Sequence, residues 1–180
     1  MFIPSDLRNI FNVGERILWI DKPVRKVFLI QSSITLFLTG FMIVFSLPFL
    51  MVLSQAFTII PYGSKIFLLI FFIIWFGLAL LLGLGPFVRN WIAWENSFYV
   101  VTDRRIIVRD GAIGVDYDIL NLDLIKQVNV NIGFWDVKYG TGTITVHAIG
   151  VKPLTLYAVR NPMKVREIIE KAVEEARHGL

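Results

Sequence analysis

The side chains that could support catalysis or metal binding are few and far apart in this sequence. The chain of 180 residues has no cysteine, which excludes thiolate nucleophiles, thiolate metal ligands and disulfides. His147 and His178 are its two histidines, whereas zinc usually takes three or four protein ligands. No serine or carboxylate stands near His147 at a spacing typical of a catalytic triad, so we interpret it as a partly exposed strand residue.

Two further motifs suggest ligand binding but have simpler structural explanations. Asp116, Asp118 and Asp123 form an acidic group, but their spacing does not match a calcium loop, and a solvated strand face and turn account for them. Gly140-Thr141-Gly142 precedes a predicted strand, whereas a phosphate loop opens a helix. A tight turn is therefore favoured. The sequence predicts no enzyme, no metal, no cofactor and no small-molecule substrate.

Three arginines, Arg104, Arg105 and Arg109, form the densest basic group after the apolar segments. Strand alternation places Arg105 and Arg109 on one face, with Arg104 in the preceding turn. Asp103 and Asp110 offset their charge. Because a structural hairpin would use the same residues, we favour a structural role for this group.

Two long apolar segments account for an unusual composition, in which 56% of residues are hydrophobic and the mean hydropathy is +0.66. Val27–Leu53 and Ile66–Val88 contain no charged residue. About 20 apolar residues are enough to span a hydrocarbon core of roughly 30 Å, and only a helix satisfies its own backbone there. The sequence predicts a hairpin of two transmembrane helices.

Basic residues near the two segments predict the orientation of the hairpin. The connecting loop, Ser54–Lys65, carries one basic residue, whereas the outer flanks carry eight. We therefore expect a multi-pass protein of the cell membrane with both termini in the cytoplasm. The predicted regions are a cytoplasmic N-terminal segment (1–26), the transmembrane hairpin (27–88) and a cytoplasmic domain (89–180).

Hydroxyl residues in the first apolar segment recur at helical spacing. Ser32, Thr35, Thr39 and Ser46 fall on one helical stripe, and small or hydroxyl residues allow membrane helices to approach closely. We interpret the stripe as the packing seam of the hairpin or of an oligomer. A polar permeation path is disfavoured because neither segment has an ionisable residue.

The cytoplasmic domain shows the pattern of an antiparallel sheet followed by one helix. Runs near residues 98–102, 128–132, 143–148 and 154–158 alternate with a period of two, and turn residues separate them. After Asn161-Pro162, apolar residues recur at helical spacing in an amphipathic stripe. The stripe consists of Val165, Ile168, Ile169, Ala172, Val173 and Ala176.

Several motifs resemble the bacterial and archaeal pleckstrin-homology-like (PH-like) domain family of membrane proteins. The longest is the run WENSFYVVTDRRIIVRDG, residues 94–111. Leu122–Val128, Tyr139–Gly142 and Asn161-Pro162 also match, as does the leader GERILW at residues 14–19, followed by Lys22-Pro23. The resemblance implies a PH-like barrel or sandwich of about seven strands with a C-terminal helix, but it says little about activity because fold does not dictate function.

We therefore expect a non-catalytic, membrane-anchored PH-like module for protein interaction or assembly at the cytoplasmic membrane face. Membrane lipids and either a protein partner or further copies of the chain are the expected partners. The alternative is binding of an anionic lipid headgroup by Arg104, Arg105 and Arg109, by analogy with the basic hairpins of eukaryotic PH domains. Nucleic acid is not expected, because the net charge of +4 arises beside the apolar segments rather than within the domain.

Overall fold

The computed structural model describes residues 10–56 and 58–178, apart from the side chains of residues 31, 32 and 178. The chain divides into two compact units, Leu29–Ile92 and Met1–Phe28 with Ala93–Leu180. We refer to them as the helical unit and the PH-like unit.

Within the described residues, the PH-like unit contains seven strands, a short helix and a long helix. The strands are β1 (Ile17–Asp21), β2 (Phe98–Thr102), β3 (Arg105–Asp110), β4 (Asp116–Asn121), β5 (Ile125–Asn131), β6 (Thr141–Ala148) and β7 (Leu154–Arg160). A 3₁₀ turn, Leu122–Leu124, joins β4 to β5, α3 (Phe134–Tyr139) joins β5 to β6, and α4 (Pro162–His178) follows β7. The helices α1 (Arg25–Ala56) and α2 (Tyr62–Asn96) lie between β1 and β2 in the sequence.

The strands form two antiparallel sheets, in the orders β1-β2-β3-β4 and β5-β6-β7. Among the described residues the two sheets do not close into a barrel. The predicted sandwich of about seven strands with a C-terminal helix is thus confirmed. The backbone N–H of Tyr157 on β7 donates to the hydroxyl of Tyr99 on β2 at 3.1 Å, which links the sheets across the core.

The amphipathic stripe of α4 closes the main core, as its spacing predicts. Val165, Ile169, Ala172 and Val173 are buried in the same cluster as the inner faces of both sheets. Burying a large aliphatic side chain contributes about 1.5–3 kcal/mol. Since Ile169 is fully buried, this helix is a structural part of the unit.

Strand β1 brings the N-terminal segment into the PH-like unit, although the sequence presents residues 1–26 as a separate region. Asp21 lies opposite Tyr99 in the pairing of β1 with β2. A second apolar cluster forms on the outer face of this sheet, where Phe98, Val100 and Ile107 are buried. Its partly buried neighbours include Ile10, Phe11, Ile20 and Tyr117. Residues 1–9 of the predicted segment lie outside the described part of the chain.

The helical unit lies within two helices, α1 (Arg25–Ala56) and α2 (Tyr62–Asn96). Both are long and apolar enough to cross a membrane, judged by length and composition. Most of their large apolar side chains are exposed in the chain alone, as expected for a surface that lipid can cover.

Two members of the predicted hydroxyl stripe of α1, Thr39 and Ser46, lie in the seam between the two helices, which favours packing of the hairpin. The Thr39 hydroxyl lies 3.3 Å from the carbonyl oxygen of Ala79, and the Trp75 indole N–H donates to the Ser46 hydroxyl at 3.1 Å. Thr39 and Ser46 are both buried. The side chain of Ser32, a further member of the predicted stripe, lies outside the described residues.

Gly83 sets the distance of closest approach in this seam. A Cβ atom at position 83 would lie 1.9 Å from the Thr39 hydroxyl oxygen and 2.6 Å from the Thr39 Cβ. At Gly77, six residues earlier in α2, a Cβ atom would meet no heavy atom within 4 Å outside the adjacent backbone of its own helix.

We expect Gly83→Ala to separate the helices and destabilise the helical unit by about 1–3 kcal/mol, the usual cost of overpacking. Gly77→Ala is the matched control and should be neutral or slightly stabilising, because alanine favours the helix over glycine. Thermal unfolding of the purified chain in detergent, followed by circular dichroism, measures both. Equal behaviour of the two variants would contradict the close contact at Gly83.

Candidate functional site

The three arginines of the predicted lipid contact lie on or beside β3. Arg105 and Arg109 are each two residues from Ile107 on β3, so their side chains lie on the same face of the sheet as that of Ile107. The Ile107 side chain belongs to the outer cluster. They therefore face away from the main core. Arg104 lies in the turn between β2 and β3, and its side chain is exposed.

Arg105 is held by a bidentate ion pair to Glu15. Its Nε donates to Glu15 Oε1 at 2.9 Å and its Nη2 to Oε2 at 2.8 Å. The Nη2 also donates to the backbone carbonyl of Ile10 at 2.9 Å. The Glu15 side chain has 0% exposure and that of Arg105 has 15%. A bidentate pair of this kind fixes orientation as well as charge.

The Glu15 carboxylate is the centre of a small network. The Thr102 hydroxyl lies 2.8 Å from Oε1, and the backbone N–H of Asn12 donates to Oε2 at 2.9 Å. Hydrogen bonding from Arg105 is the main cause that lowers the pKa of Glu15 to about 2, against an opposing effect of burial. The carboxylate therefore stays charged at neutral pH, and it joins the N-terminal leader to the turn after β2.

Arg109 is also engaged by the protein. Its side chain is buried, and a guanidinium N–H donates to the backbone carbonyl of Asn96. The guanidinium carbon lies 5.7 Å from the centroid of the Phe98 ring, within the range of a cation–π contact.

Lys22 also contacts the Phe98 ring, together with the ring of Trp94. Its Nζ lies 4.3 Å from the Phe98 ring centroid and 5.0 Å from that of Trp94, and it donates to the carbonyl of Glu95 at 2.9 Å. The Trp94 indole N–H donates to the carbonyl of Pro23 at 2.7 Å. Burial lowers the pKa of the Lys22 ammonium. These contacts fasten the residues after β1 to those before β2.

Arg104 is the only one of the three arginines whose side chain is exposed. Arg105 and Arg109 already satisfy their charge within the PH-like unit. A headgroup that used all three would have to displace these protein partners. Contact of Arg104, Arg105 and Arg109 with lipid stays a prediction, and the geometry accounts for two of them without lipid.

The remaining sequence candidates fall on ordinary structural positions. Asp116 and Asp118 lie on β4, where Asp116 pairs with Asp110 of β3. The pKa of Asp110 is raised, first by burial and then by these two neighbours. Within the described residues, no group of three or more acidic or histidine side chains could hold a metal. His147 lies on β6 opposite Gln127.

Gly140 forms the turn predicted for Gly140-Thr141-Gly142. Its φ of 64° is left-handed, and it caps the C-terminus of α3, a role that favours glycine. Strand β6 begins at the next residue, Thr141. The segment is thus a helix stop before a strand, with no helix opening after it.

A groove between β5 and α4 is a feature that the sequence analysis missed. It has a volume of about 550 Å³ and is lined by Ile125–Val130 and by five side chains of α4. Val128 and Val173 are buried at its base, and the α4 rim includes an Arg166–Glu170 ion pair at 2.7 Å. The alternation in the sequence predicts strand β5, and the apolar stripe predicts helix α4. Neither pattern predicts that a groove lies between the two elements.

The role of Glu15 was also missed, although its motif was noted. The leader motif and the arginine-rich turn are 90 residues apart in sequence, and no local pattern reports their contact. The available signal was a carboxylate in the leader and a surplus of cations in the turn.

We expect Glu15→Ala to lower the free energy of unfolding by about 3–5 kcal/mol, because it leaves the largely buried Arg105 without its partner. The matched control is Glu170→Ala, which breaks the exposed pair with Arg166 and should cost no more than about 0.5 kcal/mol. Urea denaturation of the full chain in detergent compares the two. Similar losses for both variants would contradict a structural role for the buried pair.

The same pair should make stability depend on pH. The pKa of Glu15 falls from 4.5 to about 2 on folding, so its contribution is complete above pH 4.5 and is lost as the pH falls towards 2. Glu15→Gln should flatten the stability curve in this window. An unchanged slope between pH 4.5 and 2 would show that other carboxylates govern the acid transition.

A family model and a solved structure are similar to parts of this chain. The family model described as "Bacterial PH domain" matches residues 28–173. A crystal structure of a DUF1696 family protein with a pleckstrin-homology domain from Shewanella loihica PV-4 is similar at 18% identity and a TM-score of 0.36. The alignment covers 43% of this chain and 70% of that one.

No curated protein matches the sequence significantly. The family match extends over well more than half of the chain, from α1 into α4. It confirms the resemblance carried by the TDRR turn, the Leu122–Val128 segment and the start of α4. The chain belongs to the bacterial PH domain family.

Proposed function

We propose that the protein is a non-catalytic, membrane-anchored module that binds another polypeptide, or a second copy of itself, through its PH-like unit. The observation that carries this proposal is the groove between β5 and α4. Strand β5 is an edge of its sheet, and an edge strand beside a helix is a surface to which an extended segment can add.

The chemistry of the groove suits a polypeptide better than a lipid headgroup. Its rim carries both signs of charge, positive from Lys126, Arg166 and Arg177 and negative from Glu170 and Glu174. An anionic headgroup would instead favour a concentration of positive charge. One end of the strand is already occupied, because Arg177 donates to the carbonyl of Ile125 at 2.6 Å. The middle of β5 is therefore the proposed contact.

Anchoring by a two-helix hairpin is the second part of the proposal. Strands β1 and β2 are neighbours in one sheet, so any membrane crossings between them must be even in number. Two apolar helices meet this requirement, and the basic flanks favour cytoplasmic termini.

Anionic lipid binding by Arg104, Arg105 and Arg109 is the alternative function. It is favoured less because Arg105 and Arg109 are paired within the protein. The alternative predicts that Arg104→Ala weakens retention of anionic lipid by the purified full chain.

A photo-crosslinking amino acid at Asn129, an exposed position in the groove, tests the interaction. In native membranes we expect a discrete crosslinked product, whose mass distinguishes a second copy from another protein. The control position is Glu175, which is exposed on α4 but does not line the groove. The absence of a product at Asn129, or equal products at both positions, would contradict the proposal.

Single cysteines test the topology cleanly, because the chain has none of its own. An impermeant maleimide added to intact cells should label Ser64→Cys but not Lys152→Cys. Both positions are exposed, whereas Ser97 is buried and would be protected in either orientation. Labelling of Lys152→Cys in intact cells would overturn the proposed orientation. Labelling of the same variant after cell lysis is the positive control.

A further inference from the structure

The short helix α3 presents an apolar surface to solvent. None of its residues is buried, and Phe134, Trp135 and Val137 are exposed by 81%, 43% and 73%. Ile132 and Met163 lie beside Val137 around a shallow depression of about 560 Å³. We call these five residues the α3 patch. A concentration of exposed apolar side chains on and beside one short helix marks an interaction site with proteins or membranes.

The α3 patch is held in place by fixed polar contacts. Asp136 Oδ2 accepts from the backbone N–H of Gly133 at 3.0 Å, and Oδ1 accepts from the Thr141 hydroxyl at 2.5 Å. Gly140 ends the helix in a left-handed conformation. These contacts fix the ends of α3, so the aromatic side chains are exposed on an ordered helix.

The charges around the α3 patch are mostly positive. Lys138 Nζ lies 5.9 Å from the centroid of the Trp135 ring, Lys164 lines the depression, and Arg160 pairs with Thr141 at the start of β6. Among the described residues that line the depression, Asp136 is the one carboxylate, and both of its oxygens accept hydrogen bonds from the protein. The surface thus combines exposed aromatic groups with a basic rim.

This combination matches the polar–apolar boundary of an anionic bilayer. Tryptophan, with its apolar ring and polar N–H, is enriched at that level of membrane proteins, and lysine extends from it to the headgroups. Basic side chains near an anionic leaflet add attraction. Two short covalent connections join the PH-like unit to the apolar helices, since three residues separate β1 from α1 and one separates α2 from β2.

We propose that the α3 patch inserts into the headgroup–acyl boundary of the membrane that anchors the chain, giving the PH-like unit a further contact with lipid. This inference rests on the proposed anchoring. It is independent of the groove between β5 and α4 and of the three arginines on and beside β3.

An environment-sensitive fluorophore on single cysteines tests the insertion in the full chain. The chain is placed in a bilayer nanodisc of phosphatidylcholine and phosphatidylglycerol. Part of the phosphatidylcholine carries a spin label at a shallow depth, which quenches a fluorophore that enters the lipid. Because an interfacial helix is buried by about 5–10 Å, we expect a blue shift and loss of fluorescence at Val137→Cys. The exposed control Lys152→Cys should show neither change.

A fluorophore at Leu81→Cys in α2 separates failure of the inference from failure of the anchoring. Quenching at position 81 but not at position 137 would overturn insertion of the α3 patch alone. A blue shift at position 137 without quenching would also overturn it, because protein and not lipid would then cover the patch. Quenching at neither position would reject the anchoring and the insertion together.

A paired substitution tests whether the aromatic side chains cause the insertion. Phe134→Ser with Trp135→Ser should abolish quenching at position 137 and leave the melting temperature unchanged, because neither ring is buried. The control Tyr157→Ser removes an exposed ring on β7 and should leave quenching intact. Full quenching in the double variant would show that the aromatic groups do not hold α3 at the lipid.

Discussion

The pairing of β1 with β2 is the constraint on which the rest of the structure depends. Asp21 lies opposite Tyr99, so the chain leaves the sheet and returns to it at adjacent positions after residues 22–97. A segment that connects β1 to β2 must therefore begin and end at neighbouring positions in space. Two antiparallel helices do so, and the contacts of Lys22 with Trp94 and Phe98 secure the two ends where they meet.

Three basic side chains of the PH-like unit fasten the leader, the end of β1 and the start of β2 to one another. Arg105 binds the leader through Glu15, while Lys22 and Arg109 both contact Phe98. Pairs such as Arg105–Glu15 add little net stability when compared with apolar packing, but they fix one arrangement because an unpaired buried charge is costly. Here the arrangement they specify is the attachment of β1 to a sheet whose other strands come much later in the sequence.

The sequence predicted the features that rest on local periodicity. Uncharged apolar runs indicated α1 and α2, alternation indicated the strands, and the spacing from Val165 to Ala176 indicated α4. It did not predict α3, because six residues from Phe134 to Tyr139 are too short to show a helical period. Nor did it pair Glu15 with Arg105, since contacts across a long insertion leave no periodic signal.

The candidate site was harder to predict than the fold for the same reason. Charge type and strand parity placed Arg105 and Arg109 correctly on one face, but they could not show that both were already bound. The groove beside β5 depends on the distance between a strand and a helix, which neither pattern contains. The contact of Thr39 with Gly83 could be anticipated in part. The hydroxyl stripe of α1 alone indicates that another helix approaches closely, although it does not identify the residue in contact.

The position of β1 has a consequence for biosynthesis. A ribosome adding about 5–20 residues per second needs roughly 4–15 seconds to make the segment between β1 and β2. During this time β1 is complete but has no strand to pair with, and Ile17 and Leu18 have no sheet to join. Insertion of both helices would return the nascent chain to β1 before the remaining strands emerge. The PH-like unit therefore cannot complete its sheet until the hairpin has been made.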